Sequence, residues 1–169
     1  VPDIEIRDNR TFRAINDAFR EAANGKQLRK ELTAEVRAVL RPLVPQVRAA
    51  YKAQPAYGGK RSRSRAEQPP LRTLLAKATR VEVRFTGKRA GARIRVDGRK
   101  MPDHMKSLPA YWEGEKPRWR WPVFGDRETW AQGRKRPTFY GVVEPHVPDA
   151  QRAIDAATNR VLKKIERAT

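Results

Sequence analysis

Val81-Glu82-Val83-Arg84-Phe85-Thr86-Gly87-Lys88-Arg89-Ala90-Gly91-Ala92-Arg93-Ile94-Arg95-Val96 is the stretch that decides the fold. Val81, Val83 and Phe85 alternate with Glu82, Arg84 and Thr86, and Ala92, Ile94 and Val96 alternate with Arg93 and Arg95. Alternate residues of a strand point to opposite faces, and the Gly87 to Gly91 segment supplies the turn between the two runs. The reading is a β-hairpin with one buried apolar face and one charged face.

The flanking sequence reads mostly as helix. Upstream, from Thr11 to Tyr51, Phe12, Ile15, Phe19 and Ala22 form one stripe, and Leu28, Leu32, Val36, Val39, Leu43, Val47 and Tyr51 form a longer one at steps of three and four. Two helices are expected, separated at Asn24-Gly25, where glycine can take the left-handed conformation that ends a helix. Pro42 and Pro45 interrupt the longer stripe and call for a kink or a fresh helix start. A short helix should follow Pro70 (Leu71, Leu74, Leu75, Ala78), and a third strand is expected at Phe139 to Glu144. Pro148-Asp149 suit a first helical turn, and Ile154, Ala157, Val161 and Ile165 mark an amphipathic final helix.

The fold class expected is α+β: a long N-terminal helical arm and a C-terminal helix packed on a small antiparallel sheet, with a long aromatic loop. The divisions are 1–53 for the arm, 54–70 for a basic flexible loop, and 71–169 for the α+β core, including the aromatic loop 109–138 and the C-terminal helix.

Charge sets the choice of partner. The 169 residues hold 38 Lys+Arg against 19 Asp+Glu, a formal net charge of +19, so self-repulsion opposes packing unless a polyanion or acidic neighbour offsets it. The run Lys60-Arg61-Ser62-Arg63-Ser64-Arg65 is either a solvated linker or a basic finger. Lys60, Arg61, Arg63 and Arg65 are the residues expected to touch nucleic acid or another polyanion, since cations on irregular backbone neutralise phosphates without a preformed pocket. There are no cysteines, so thiol chemistry has no handle. No apolar run approaches the roughly 18–20 residues that span a bilayer, the acidic, polar N-terminus does not read as a signal peptide, and no membrane partner is expected.

Catalysis has little to stand on. His104 and His146 lie far apart, and Gly87 to Gly91 lacks a phosphate-binding pattern. The scattered acids Asp97, Asp103, Glu113, Glu115, Asp126 and Glu128 have no regular metal-ligand spacing. The expectation is no enzyme, no metal and no cofactor.

All four tryptophans fall between residues 112 and 130, in a Gly/Pro/Arg-rich stretch. They could cover the protein's own sheet, bury against a neighbouring subunit, or stack on bases. Trp and Arg are favoured at interface hot spots, so the residues expected at a subunit or partner contact are Trp112, Trp119, Trp121, Phe124, Arg127, Trp130 and Phe139.

Trp121-Pro122-Val123-Phe124-Gly125-Asp126-Arg127 with Trp130 and Gln132, then Pro137-Thr138-Phe139 and an amphipathic C-terminal helix, resembles the tail-completion (head-to-tail joining, minor tail) proteins of long-tailed phages, most of all those of actinobacterial phages. The resemblance spans most of the chain, and its specific part is the short Pro-Val-Phe-Gly-Asp-Arg to Pro-Thr-Phe stretch. Many members carry His where this chain has Trp121. The resemblance implies a structural subunit of the virion neck or tail, assembled in the host bacterial cytoplasm. It would form a ring, sixfold in the family, around the DNA channel. Its implied partners are further copies of itself, the neck connector, tail-terminator or tail-tube proteins, and DNA in transient nonspecific contact. The alternatives are a free sequence-nonspecific nucleic-acid-binding protein or, more remotely, a nuclease.

Overall fold

The structure is a computed structural model that describes residues 2–7, 9–55, 70–116, 120–123, 126–132 and 136–167, and at 7, 9–10, 104, 120–123 and 126–132 the backbone alone. The fold is α+β. Its elements run β1 (Asp3–Arg7), α1 (Asn9–Glu21), α2 (Gly25–Leu40), α3 (Leu43–Ala53), α4 (Leu71–Ala78), β2 (Thr79–Arg84), β3 (Gly91–Val96), α5 (Leu108–Glu113), β4 (Arg120–Val123), β5 (Asp126–Gln132), α6 (Phe139–Val143) and α7 (Val147–Glu166).

The hairpin expected from residues 81–96 is present as β2–β3, and the third strand comes from the other end of the chain. β1 pairs antiparallel with β3, giving the order β1-β3-β2. Asp3-Ile4-Glu5-Ile6 alternates as a strand should, and the rows of the sheet follow from register: Ile4, Ile94 and Val81 lie side by side, as do Glu5, Arg93 and Glu82, and Asp3, Arg95 and Arg80. Residues 139–144, expected as the third strand, instead form α6 and a 3-10 turn.

Beneath the apolar face, Ile6, Ala92, Ile94 and Val96 join Phe12, Leu28, Leu32, Val36, Val47, Leu75, Phe139, Ile154 and Val161 in one core. Residues 1–53, expected as a helical arm, instead begin with the sheet strand β1, and their helices contribute to the same core as the sheet. The interval between Thr11 and Tyr51 holds three helices' worth of chain: Pro42 precedes α3 directly and Pro45 sits in its first turn, where a missing donor costs nothing. Phe85 closes the hairpin end of the core, its ring 5.3 Å from Phe12 and 5.7 Å from Phe19.

The opposite face of the sheet departs from expectation. Arg93 and Arg95 were expected to face solvent, but they are only 7% and 6% exposed. Arg93 pairs with Asp3 and Glu5, each at 3.3 Å, and Arg95 with Glu82 at 3.2 Å and Asp97 at 3.7 Å. Arg80 reaches Asp97 at 2.7 Å. Asp97 lies below the ordinary carboxylate range: its burial works against ionisation, but the Arg99 backbone amide and the Arg80 charge prevail. Among the described residues, no helix is long and apolar enough to cross a membrane.

Gly25 opens α2, and closeness rather than left-handed backbone requires it. A Cβ there would overlap the Phe19 carbonyl, so α1 and α2 cannot meet at this corner with any side chain in between. Gly25→Ala is expected to cost about 2–3 kcal/mol and to lower the thermal midpoint by roughly 5–10 °C. Differential scanning calorimetry checks this, and an unchanged midpoint would mean the corner relaxes freely.

Candidate functional site

Glu113, the last residue of α5, is buried and accepts three hydrogen bonds. Tyr51 Oη donates to Oε1 at 2.8 Å, and the backbone amides of Thr138 and Phe139 donate to Oε2 at 2.8 and 3.0 Å. The two amides belong to the first turn of α6, whose N-cap residue Thr138 makes no side-chain cap of its own. A carboxylate 25 positions earlier in the chain thus caps the helix, satisfying donors that would otherwise be orphaned. Its charge also complements the positive end of the helix dipole.

The same place holds the chain together on both sides of a long excursion. The Arg136 amide donates to the Trp112 carbonyl at 2.8 Å, the Arg136 guanidinium lies 5.6 Å from the Trp112 ring centre, and Gly114 ends α5 in left-handed backbone at φ 86°. The described residues on either side of 117–135 are therefore held together at one neck. Within 117–135, β4 and β5 form a two-stranded hairpin with Trp121 opposite Ala131 and Pro122 opposite Trp130. Expected as irregular backbone, this part of the aromatic segment is paired strand. Among the described residues, no other element shares an extensive backbone contact with it.

A second pair of chain ends is joined beside the first. Arg72 Nη1 donates to the Gln54 carbonyl at 3.0 Å, a second neck that joins the described residues on either side of 56–69. The guanidinium of Arg136 hydrogen-bonds the Pro55 carbonyl, joining the two necks.

The expected contact residues divide accordingly. Trp112 and Phe139 sit in the protein's own core, 7% and 0% exposed, so the interface role expected of them gives way to a structural one. Trp121, Arg127 and Trp130 belong to the hairpin backbone. Trp119, Phe124, Lys60, Arg61, Arg63 and Arg65 lie outside the described residues. Of the acids, Asp97 is held by arginines, Glu113 by amides and Tyr51, and Glu115 accepts from Tyr140 Oη at 2.7 Å. Among the described residues, no three His, Cys, Asp or Glu side chains gather as a metal site would require.

Sequence reasoning missed Glu113 as the fastening point. Its only signal was an acid at the end of an otherwise apolar helix, which does not reveal that its partners lie at 51 and 138–139. No family model, curated protein or solved structure matches this chain.

Burial is the largest influence on Glu113 and raises its pKa above the ordinary 4.5, with the hydrogen bonds from Thr138, Tyr51 and Phe139 pulling the other way without offsetting it. Burial, together with the Glu113 charge, also pushes the Tyr51 hydroxyl far above its usual range. A carboxyl whose folded pKa is raised contributes stability in acid that is lost as pH climbs through the folded value. Glu113→Gln removes that dependence, because its amide oxygen can accept from Thr138 and Phe139 while its NH2 donates to Tyr51. Relative to wild type, the variant is expected to gain in stability as pH rises from about 4 to 7, as read by urea unfolding across that series. Glu113→Ala, which orphans two buried amides and the Tyr51 hydroxyl, is expected to lose about 2–4 kcal/mol, more in acid than at neutral pH.

Proposed function

We propose that this chain is a structural subunit of a phage neck, a tail-completion protein that assembles as a ring around the DNA channel and is carried in the virion. The observation that carries the reading is the junction of the two necks. The described residues on either side of the aromatic segment 117–135 are joined at Trp112–Arg136, those on either side of the basic segment 56–69 at Gln54–Arg72, and Arg136 bonds the carbonyl of Pro55 between them. The ends of an aromatic segment suited to a protein neighbour and of a basic segment suited to a polyanion thus meet in one region of the molecule. The resemblance of the Trp121 to Phe139 stretch to tail-completion proteins supplies the class.

In such a ring each subunit offers one patch to a different patch on the next, and a closing rotation keeps the assembly finite. A hairpin that pairs mainly with itself suits this role, because it can reach a neighbour without unsealing the core that fastens it. Its partners on this reading are adjacent copies, the head-side connector and the tail-side proteins, with DNA passing in nonspecific contact.

The neck geometry provides the test. Since Trp112 and Arg136 are already hydrogen-bonded, residues 117–135 can be replaced by a short Gly-Ser turn without straining the fold. The shortened chain is expected to be a folded monomer of near wild-type thermal stability that fails to complement a phage lacking the wild-type gene. Trp121→Ala and Trp130→Ala singly are expected to weaken assembly by about 2 kcal/mol, roughly thirtyfold, measured by native mass spectrometry with the neck partners. Infectious particles of normal yield from the shortened chain would overturn the proposal.

A further inference from the structure

The two flanks of α2 carry opposite charge. Leu28, Leu32, Val36 and Leu40 are its buried stripe. On one side of that stripe Glu31 and Glu35 reach across to α7, pairing with Lys164 at 2.8 Å and Arg160 at 2.6 Å. On the other side Lys26, Arg29, Lys30, Thr33, Ala34 and Arg37 line an open groove of about 460 Å³, and Arg41 follows one turn on. At 3.6 residues per turn, 26, 30, 37 and 41 fall on one face. Lys26, Lys30, Arg37 and Arg41 are all exposed, and among the described residues none of the four has an acidic partner. Arg29 lies 5.0 Å from the Phe85 ring centre, which steadies one edge of the groove.

We propose that this flank of α2 is a binding surface for the phosphate backbone of duplex DNA. Lys26 to Arg37 covers roughly 16 Å along the helix, and duplex DNA presents one negative charge per about 1.7 Å of its axis, so three or four of these cations meet phosphates at once. The middle of the groove is low: Ala34 is small, and Thr33 Oγ1 turns back to donate to the Arg29 carbonyl at 2.7 Å. A sugar-phosphate strand can therefore come close between the flanking cations. The groove lining offers no aromatic side chain for base stacking and no amide or carboxylate for reading base edges, so binding is sequence-independent. The acids of α2 are already engaged on its far flank, which leaves this one uniformly positive. The surface goes beyond the neck reading and stands without it, because a chain that never formed a ring would still present it.

The test is fluorescence anisotropy of two unrelated duplexes of about 20 base pairs, titrated with the full chain at several salt concentrations. The variants are the triple Lys26→Gln/Lys30→Gln/Arg37→Gln and a control with equal charge loss, Lys100→Gln/Lys106→Gln/Arg152→Gln. The triple is expected to bind both duplexes at least about tenfold more weakly at low salt. Its log–log salt slope should fall by roughly 2–3, at about 0.9 for each phosphate no longer neutralised. The control is expected to stay within about twofold of wild type, and a matching thermal midpoint for the triple shows that the fold is intact. Equal losses in triple and control would reduce the effect to net charge and overturn the proposal. It would also fall if the triple lost binding to phosphatidylserine vesicles while its duplex affinity held.

Discussion

Two buried arginines on the central strand constrain the rest of the fold. β3 is covered on both faces, and Arg93 and Arg95 are removed from water with it. A buried guanidinium without a partner is costly enough that breaking such a pair typically loses about 3–5 kcal/mol. Asp3 and Glu5 from β1, Glu82 from β2 and Asp97 just beyond β3 supply the compensation. The N-terminal strand is thus held by ionic complementarity on one face and by Ile4 and Ile6 on the other. A slip of one residue would exchange those two sets and lose both.

This use of acids determines where the excess charge is felt. The chain has half as many acids as bases, and several of the acids are committed: four to the sheet, Glu113 to the α6 cap, and Glu31 and Glu35 to α7. Exposed ion pairs such as those between α2 and α7 contribute little to stability. Their effect is on the field, because Glu31 and Glu35, the acids of α2, are spent on α7 rather than on the opposite flank of the helix. The free flank of α2 is consequently positive along its length, and a polyanion is the neighbour it suits.

Glu113 divides core from periphery in a similar way. By accepting from Tyr51 and from the first amides of α6, it locks α3, α5 and α6 together, and Arg136 then closes the neck against Trp112 and Pro55. The described residues on either side of 56–69 and of 117–135 are thereby fastened to the core itself.

Helices and the β2–β3 hairpin were legible in the sequence because their signals are local: a period of about 3.6 or 2 residues, a proline without a donor, a glycine-bounded turn. Pro42 ahead of α3 and Pro148 at the start of α7 did what backbone chemistry requires wherever they occur. Asp3-Ile4-Glu5-Ile6 was not read as a strand, since residues 1–53 were expected as a helical arm; so short an alternation becomes a strand only through its pairing with β3. Tertiary structure alone decided that Arg93 and Arg95 would be inside, since an arginine on an alternating strand looks exposed until acids from other strands surround it. The same is true of Phe139-Tyr140-Gly141-Val142-Val143, whose aromatic and β-branched composition favours a strand. It became a helix because Glu113, distant in sequence, accepts the amides that a helix start leaves unpaired, and a partner brought by folding outweighs a preference of a fraction of a kcal/mol per residue.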